Sequence, residues 1–356
     1  MEKIVRYNSL DGMRIIAAIF VAQLHVGMPL GITDNLLSDV ARMAVPFFFM
    51  CSGFFIFSFD CDEMNARINK GIVKSIKLLI VSTIIYFIIE LVLWQDWNSI
   101  YDKLHAFLTY DVWFFNSTPF MPVGWYLSAY IYSILIIRII INFVPKPSGL
   151  WYVIIIICFT YWMVTGAYQH VFFDNSSFSL KYGCCWIVAL PWVLIGMVIS
   201  YFIKYKKLRF VLESSKYLYI LFLLGIVLCW AEHGIIKHYT GMPLIASGYL
   251  GTIISTISLF AILLININVC RGGVIAKIGR KYSMYVYLYH VAFNYLLCAL
   301  FGVKFDFPFN GLIELPFDYT LIVNCFTTSL LAAVVPVCLG KIVLYCKVAV
   351  LNLHKN

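Results

Sequence analysis

Apolar runs of about 16 residues or more, separated by polar or charged breaks, recur along the whole chain. A helix that crosses the hydrocarbon core of a bilayer needs about 20 mostly apolar residues, so each run predicts a transmembrane span. The sequence therefore predicts an all-α, polytopic membrane protein with about ten transmembrane helices. The predicted spans lie at roughly residues 12–30, 41–58, 75–95, 121–143, 150–169, 184–203, 217–232, 245–265, 283–301 and 319–345.

Composition supports the same fold class. The chain has 356 residues, of which 62% are hydrophobic and 12% are charged, and its mean hydropathy is +0.89. Soluble domains carry about 25% charged residues, and a water-soluble protein of this size could not bury so much apolar surface in one core. We therefore expect residues 1–356 to form a single integral-membrane domain, surrounded by membrane lipids and without a separate soluble domain.

Positive charge is distributed unevenly between the two predicted sides of the membrane. With ten spans, 20 of the 26 Lys and Arg residues fall on the side that holds the N-terminus, and four fall on the opposite side. Cytoplasmic loops carry the excess of Lys and Arg, so both termini are predicted to be cytoplasmic. The formal charge of +9 follows from this topology and gives no reason to expect a nucleic acid as partner.

The 11 cysteines show no C-x-x-C spacing and no zinc-type cluster with histidine. Most lie in apolar runs, where cysteine behaves as a small hydrophobic residue. The adjacent pair Cys184 and Cys185 would fit a redox role, but neighbouring cysteines rarely bridge to each other. We therefore expect no bound metal ion and no structural disulfide framework.

The first predicted span carries two basic residues on one face. Arg14 and His25 are 11 residues apart, which is three helical turns plus about 20° and a rise of roughly 16 Å. Asp11 precedes Arg14 by three residues, which permits an ion pair along the helix. An ionisable residue inside a membrane is costly, which favours a functional role. The alternative is that Arg14 anchors the cytoplasmic end and His25 forms an interhelical hydrogen bond.

The ninth predicted span carries a row of tyrosines and a second histidine. Tyr282, Tyr285 and Tyr289 recur at helical spacing, and His290 follows directly. Tyrosine is enriched at membrane interfaces, so one interpretation is an aromatic belt. A row that runs from the interface toward the midplane of the bilayer favours a lined cavity instead.

Other polar residues in the spans are weaker candidates. Arg42 and Ser52 lie in the second span, where Gly53 would let a neighbouring helix approach closely. Trp125 opens the fourth span, a position typical of an interface anchor. The sequence contains neither a nucleotide-binding P-loop nor the GxSxG elbow of hydrolases.

Four segments, in order along the chain, resemble the motifs of acyltransferase family 3, membrane proteins of bacteria that acylate sugars and other envelope molecules. Each motif alone is a weak signal, but four in the correct order are a strong one. The resemblance covers nearly the whole chain, and the ten predicted spans agree with it. The segments are Ser9–Arg14 with the Arg14-x10-His25 spacing, Val45–Phe54, Trp125–Tyr126, and Gly279–His290, which is similar to G-[KR]-x-S-x-x-x-Y-L-x-H.

The resemblance implies acyl transfer from acyl-CoA, with acetyl-CoA as the expected donor and no permanently bound cofactor. It implies that His25 acts as the catalytic base or as the acyl carrier, helped by Asp11 and Arg14. The residues that would hold the donor at the cytoplasmic end are Arg14, Arg280, Lys281 and Tyr282. Those that would line the cavity and meet the acceptor are Arg42, Ser52, Trp125, Tyr285, Tyr289 and His290.

Within the family, the chain looks most like stand-alone O-acetyltransferases of the bacterial inner membrane, whose acceptor is an envelope glycan or a lipid-linked sugar. It departs from the family pattern at Gly124, where related proteins often carry histidine; this removes one potential acid, base or ligand.

The chain is also similar to the membrane half of vancomycin-resistance serine racemases, which is associated with moving serine across the membrane. This keeps open a transporter of a small polar solute such as an amino acid, and an assembly subunit is a third alternative. The spacing of Arg14 and His25 favours the enzyme. Acyl transfer from CoA requires a cation for the CoA and a histidine in line with it, whereas a transporter does not need this arrangement.

Overall fold

The computed structural model describes residues 6–26, 32–93, 97–107, 118–172, 185–204, 215–240 and 248–300. Regular secondary structure in this part of the chain is helical, and the prediction of an all-α, polytopic membrane fold is confirmed. Five helical segments are long and apolar enough to cross a membrane. They are Leu37–Ile56, Cys61–Leu93, Trp125–Phe143, Ile187–Lys204 and Lys216–Thr240.

The described helices are numbered here in chain order. They are α1 (Asn8–Val26), α2 (Ile32–Ala41), α3 (Ala44–Ile56), α4 (Cys61–Leu93), α5 (Trp97–Ala106), α6 (Trp125–Phe143), α7 (Gly149–Thr165), α8 (Gln169–Phe172), α9 (Cys185–Lys204), α10 (Ser215–Thr240), α11 (Leu250–Ile265) and α12 (Val274–Leu300). Each of the first nine predicted spans overlaps one of these helices, whereas the tenth, 319–345, lies outside the described residues.

Two helices begin well before the spans that were predicted for them. Helix α4 begins at Cys61 rather than near residue 75, and α12 begins at Val274 rather than near residue 283. The extra turns carry charged residues, which end an apolar run but do not end a helix. In α4, Glu63 and Arg67 form an ion pair one turn apart, at 2.6 Å, which favours the helical conformation.

The segment from Gln95 to Phe120 was predicted to be a loop, and part of it is the short helix α5. Trp97 and Tyr101 on this helix are largely exposed. Lys103 turns the other way, and its Nζ contacts both carboxylate oxygens of the buried Glu90 in α4 at 2.7 Å. This ion pair holds α5 against the membrane-spanning helix α4. The pattern of apolar runs did not predict α5, because the helix is too polar.

Glycine permits the closest helix contacts of the bundle. Helix α3 packs mainly against α9, and a Cβ atom added at Gly53 would clash with the Val193 carbonyl oxygen. A Cβ atom at Gly196 would in turn clash with the Met50 carbonyl oxygen, so the contact is reciprocal. Side chains around this contact are fully buried, among them Phe47, Phe49 and Trp192. The expectation that Gly53 allows close helix approach is therefore met.

Candidate active site

The candidate site is built on the contact between α1 and α12, the first and last of the described helices. These two helices pack closely, and a Cβ atom added at Gly279 would clash with the carbonyl oxygen of Asp11. Further along both helices, the rings of His25 and His290 are in contact. On both helices, the contact between Asp11 and Gly279 lies nearer the N-terminal end than the contact between His25 and His290. The two helices therefore run in the same direction, and residues far apart in sequence meet in register.

At the N-terminal end of this contact, one carboxylate binds two arginines. Asp11 Oδ1 lies 3.0 Å from Arg14 Nη1, and its Oδ2 lies 2.9 Å from Arg280 Nε. Such charge-assisted hydrogen bonds are strong, and they fix the two guanidinium groups beside each other. The pair between Asp11 and Arg14 was predicted from their spacing, whereas the contribution of Arg280 depends on the packing of α12. Each guanidinium carries five N–H donors, more than its contact with Asp11 uses, which is the chemistry needed to bind an anionic ligand.

Two further cations lie at the same end, around the last carbonyl groups of α3. Arg67 Nη1 donates to the carbonyl oxygens of Phe55 and Phe57, at 2.9 and 3.0 Å. Lys204 Nζ donates to the Phe57 oxygen at 2.6 Å, and the Arg14 guanidinium lies 5.1 Å from the centre of the Phe55 ring. Cations are favoured here because the last carbonyls of a helix lack partners within it. We call this group the basic end, and its members are Arg14, Arg67, Lys204 and Arg280.

Sequence reasoning counted Arg67 and Lys204 among the cytoplasmic cations but did not place them in the site. Lys281 and Tyr282, which were placed there, follow Arg280 on α12. The Lys281 ammonium lies 5.3 Å from the centre of the Tyr282 ring, and Lys281 is exposed while Tyr282 is half-buried. These two residues therefore extend the basic end along the surface of α12.

At the other end of the contact, two imidazole rings face each other. The ring centres of His25 and His290 are 5.1 Å apart, with 35° between their planes. His25 is partly exposed, whereas His290 is fully buried. The pair therefore joins a half-buried histidine to a fully buried one, and two imidazoles in contact are suited to proton transfer.

An aromatic wall lies beside the histidine pair and is formed by three helices. The Tyr287 ring lies 4.9 Å from that of Tyr126, 6.0 Å from that of Phe48 and 6.2 Å from that of His290. Ser52, one turn beyond Phe48 on α3, donates its hydroxyl to the Phe48 carbonyl oxygen at 3.0 Å. The Tyr287 ring thus connects the histidine pair to Phe48 and Tyr126, and we call these three residues the aromatic wall.

The structure does not bring the predicted row of tyrosines to this wall. The rings of Tyr285 and Tyr289 stack on each other at 6.5 Å, and the Tyr289 hydroxyl accepts a hydrogen bond from Ser82 of α4 at 3.2 Å. Successive residues of a helix point about 100° apart, so Tyr289 diverges from His290 although it precedes it directly. Tyr287, three residues before His290, lies on its face of the helix and could have been found from that spacing.

Trp125 and its neighbour Tyr126 open α6, and they have different surroundings. Tyr126 is 2% exposed and belongs to the aromatic wall. Trp125 is half-buried and packs against the main hydrophobic core. Of this motif, Tyr126 is the residue that reaches the site.

Arg42 belongs to a second polar cluster. Its Nε lies 3.9 Å from Asp39 Oδ1, and the same oxygen lies 3.1 Å from Nδ1 of His233 in α10. A small cleft beside this cluster is lined by Asp39, Val40, Met43, Ile226, Cys229, Trp230 and Ser255. Arg42 is thus held in place by an acidic partner that sequence reasoning did not predict.

Over the described ranges, no three His, Cys, Asp or Glu side chains are grouped so that they could hold a metal ion. Of the adjacent cysteines, Cys184 lies outside the described residues. The expectation that the two cysteines do not bridge therefore stays a prediction.

Comparison with known proteins identifies a family. A family model described as an acyltransferase domain, that of acyltransferase family 3, matches residues 7–343. The matched range contains all the residues of the basic end, the histidine pair and the aromatic wall. No curated protein and no solved structure matches the chain.

Proposed function

The chain belongs to acyltransferase family 3 and is a multi-pass membrane acyltransferase; on that premise, we propose that it carries an acyl group from cytoplasmic acyl-CoA to a hydroxyl of a cell-envelope carbohydrate or of its lipid-linked precursor. Acetyl is the proposed group, which makes the protein an O-acetyltransferase of the bacterial inner membrane. One observation carries the proposal: α1 holds Arg14 at one end and His25 at the other, and α12 places Arg280 on the Asp11 carboxylate that Arg14 binds and His290 beside His25.

The basic end is the proposed site of the CoA phosphates. Guanidinium groups bind phosphate oxygens through paired N–H donors, and Asp11 keeps Arg14 and Arg280 side by side in a fixed orientation. Lys281 and Tyr282 would contact the outer part of the nucleotide. Acyl-CoA is made in the cytoplasm, and the excess of positive charge predicts that this end of α1 faces it.

The thioester would lie close to the histidine pair. The helical rise from Arg14 to His25 is roughly 16 Å, a distance that an extended pantetheine arm spans. Between these two residues, α3 presents Ser52 and Phe48 toward the same region of the bundle. The arm would therefore follow α1 from the basic end to the aromatic wall.

His25 is the proposed general base. It would take the proton of the acceptor hydroxyl, whose oxygen then attacks the thioester carbonyl carbon. The carbon–sulfur bond breaks, and the CoA thiolate takes the proton from His25, so that the base is restored. A phenol hydroxyl of the aromatic wall, from Tyr126 or Tyr287, would donate a hydrogen bond to the developing oxyanion.

Arg42 is the proposed contact of an anionic acceptor such as a lipid-linked sugar. It lies near the start of α3, and it is kept in place by Asp39. Guanidinium groups bind phosphate and carboxylate oxygens through charge-assisted hydrogen bonds, which is the contact proposed for the acceptor here.

Topology can be tested by cysteine labelling. In a variant without its native cysteines, Asn98→Cys in α5 should react with a membrane-impermeant maleimide in intact cells, and Lys70→Cys in α4 should not. Both positions are exposed, so accessibility within the protein does not differ between them. The reverse labelling pattern would place the basic end outside the cell and remove cytoplasmic acyl-CoA as the donor.

Donor binding can be tested by thermal stability in detergent. A ligand at 100 times its dissociation constant stabilises the folded state by about 2.7 kcal/mol, so CoA should raise the melting temperature of the purified protein. Arg14→Ala should reduce this shift, because it removes a guanidinium of the basic end. Lys146→Ala, which removes an exposed cation elsewhere, should not. A shift with free amino acids and none with CoA would favour the transporter.

A further inference from the structure

His290 is held by its own helix in a way that defines its tautomer. Its Nδ1 lies 2.7 Å from the Tyr287 carbonyl oxygen and 3.3 Å from that of Val286. A carbonyl oxygen only accepts hydrogen bonds, so Nδ1 carries a proton and donates it. In the neutral ring, the lone pair is then on Nε2.

Nε2 of His290 is buried and has no hydrogen-bond partner among the described residues. Buried polar atoms are nearly always hydrogen-bonded, so an exception of this kind requires an explanation. The ring beside it is that of His25, whose centre is 5.1 Å away. At this separation, the two rings are close enough for a hydrogen bond between them when a ring turns about its side-chain torsions.

The two histidines differ in what can reach them. His25 is partly exposed, whereas His290 has no exposed surface and lies behind it. A substrate hydroxyl can therefore meet His25, while His290 can influence the reaction only through His25.

We propose that His290 is a positioning residue for His25 and that its Nε2 lone pair accepts an N–H hydrogen bond from His25 when His25 takes the acceptor's proton. This rests on the proposed function, in which His25 is the base. A protonated imidazole has two N–H donors, and burying one without an acceptor is costly. His290 supplies that acceptor and keeps its own proton on Nδ1 throughout. The role corresponds to that of the acid behind the histidine of a serine-protease triad, with a neutral imidazole in its place.

Two substitutions separate this role from a structural one. In His290→Asn, the side-chain amide nitrogen can replace Nδ1 and donate to the Tyr287 carbonyl, but nothing replaces Nε2. In His290→Gln, the longer side chain can place its carbonyl oxygen, an acceptor, near the position of Nε2. Both variants are to be purified at full length and checked for a monodisperse elution profile.

Each protein is then assayed with acetyl-CoA and two acceptors, isolated envelope membranes of the source cells and hydroxylamine. Hydroxylamine attacks a thioester without a general base, so its transfer in excess of the protein-free rate reports on donor binding and bypasses the step that His290 assists. We expect His290→Asn to reduce transfer to the envelope by about 10–100-fold, and His290→Gln to recover at least part of that loss. Transfer to hydroxylamine should stay within about threefold of wild type in both variants.

The other outcomes overturn the inference. Equal losses with both acceptors would mean that His290 only supports the structure, and unchanged transfer by His290→Asn would mean that Nε2 has no role. If His290→Gln transfers acetyl to the envelope no faster than His290→Asn, a hydrogen-bond acceptor at this position does not contribute to the reaction. Failure of the proposed function itself is a separate result, since the wild-type protein would then transfer acetyl to neither acceptor faster than the protein-free control.

Discussion

His25→Ala is expected to lower acyl transfer by about 10²–10⁴-fold, the usual contribution of a general base. The protein should stay folded and inserted, because helix packing and lipid exclusion hold the bundle together. His25 is half-buried whereas its neighbour His290 is fully buried, so among the described residues of this pair His290 cannot take over the contact with the acceptor.

The measurement is transfer of labelled acetyl from acetyl-CoA to envelope material by the purified variant. His238→Ala, which removes an exposed imidazole from α10, is the matched control and should transfer acetyl at the wild-type rate. Arg14→Ala should differ from both, since loss of a phosphate contact raises the KM for acetyl-CoA more than it lowers kcat. Near-normal transfer by His25→Ala at saturating acetyl-CoA would remove His25 from the chemistry.

Sequence reasoning succeeded where a relation lies within one helix. The 11-residue interval between Arg14 and His25 places both on one face of α1 whatever surrounds the helix. The ion pair of Asp11 with Arg14 follows from the same geometry. Relations between helices were not predictable in this way. Nothing in the spacing of α1 indicates that Arg280 would share the Asp11 carboxylate.

The tyrosines of α12 show where a correct pattern led to an incomplete interpretation. The interval between Tyr285 and Tyr289 does place them on one face, and their rings stack. That face meets α4, because a different side of α12, which carries Gly279, is occupied by α1. A helical projection centred on His290 would have selected Tyr287, which the structure places in the aromatic wall.

The apolar runs correctly predicted the middle of each described span but not the residues at which the helices begin and end. Charged turns such as those that begin α4 and α12 belong to helices that continue past the apolar region. The same charged turns carry Arg67 and Arg280, two members of the basic end. The part of the site that the apolar pattern could not define is therefore the part that we propose binds CoA.

The second large effect is expected from Gly279→Ala, a change of one methyl group. The new Cβ atom would clash with the Asp11 carbonyl oxygen, and backbone on both sides leaves no flexible side chain to move aside. Helices α1 and α12 would have to separate, which would weaken the Asp11–Arg280 ion pair and the contact of His25 with His290. Overpacking of this kind costs about 1–3 kcal/mol, and we expect acyl transfer to fall by at least about tenfold with it.

Gly234→Ala is the matched control, because it adds the same methyl group inside α10, where no atom lies within 4 Å of the new position. Alanine favours a helix over glycine by up to about 1 kcal/mol, so this variant should be as stable as wild type or slightly more so. Melting temperature and acetyl transfer are measured for both variants in the same detergent. Gly279→Ala should melt at a lower temperature and respond less to CoA, since Arg280 no longer shares the Asp11 carboxylate with Arg14. If the two variants behave alike, α1 and α12 are not in close contact at Gly279, and neither the paired arginines nor the paired histidines can be attributed to that contact.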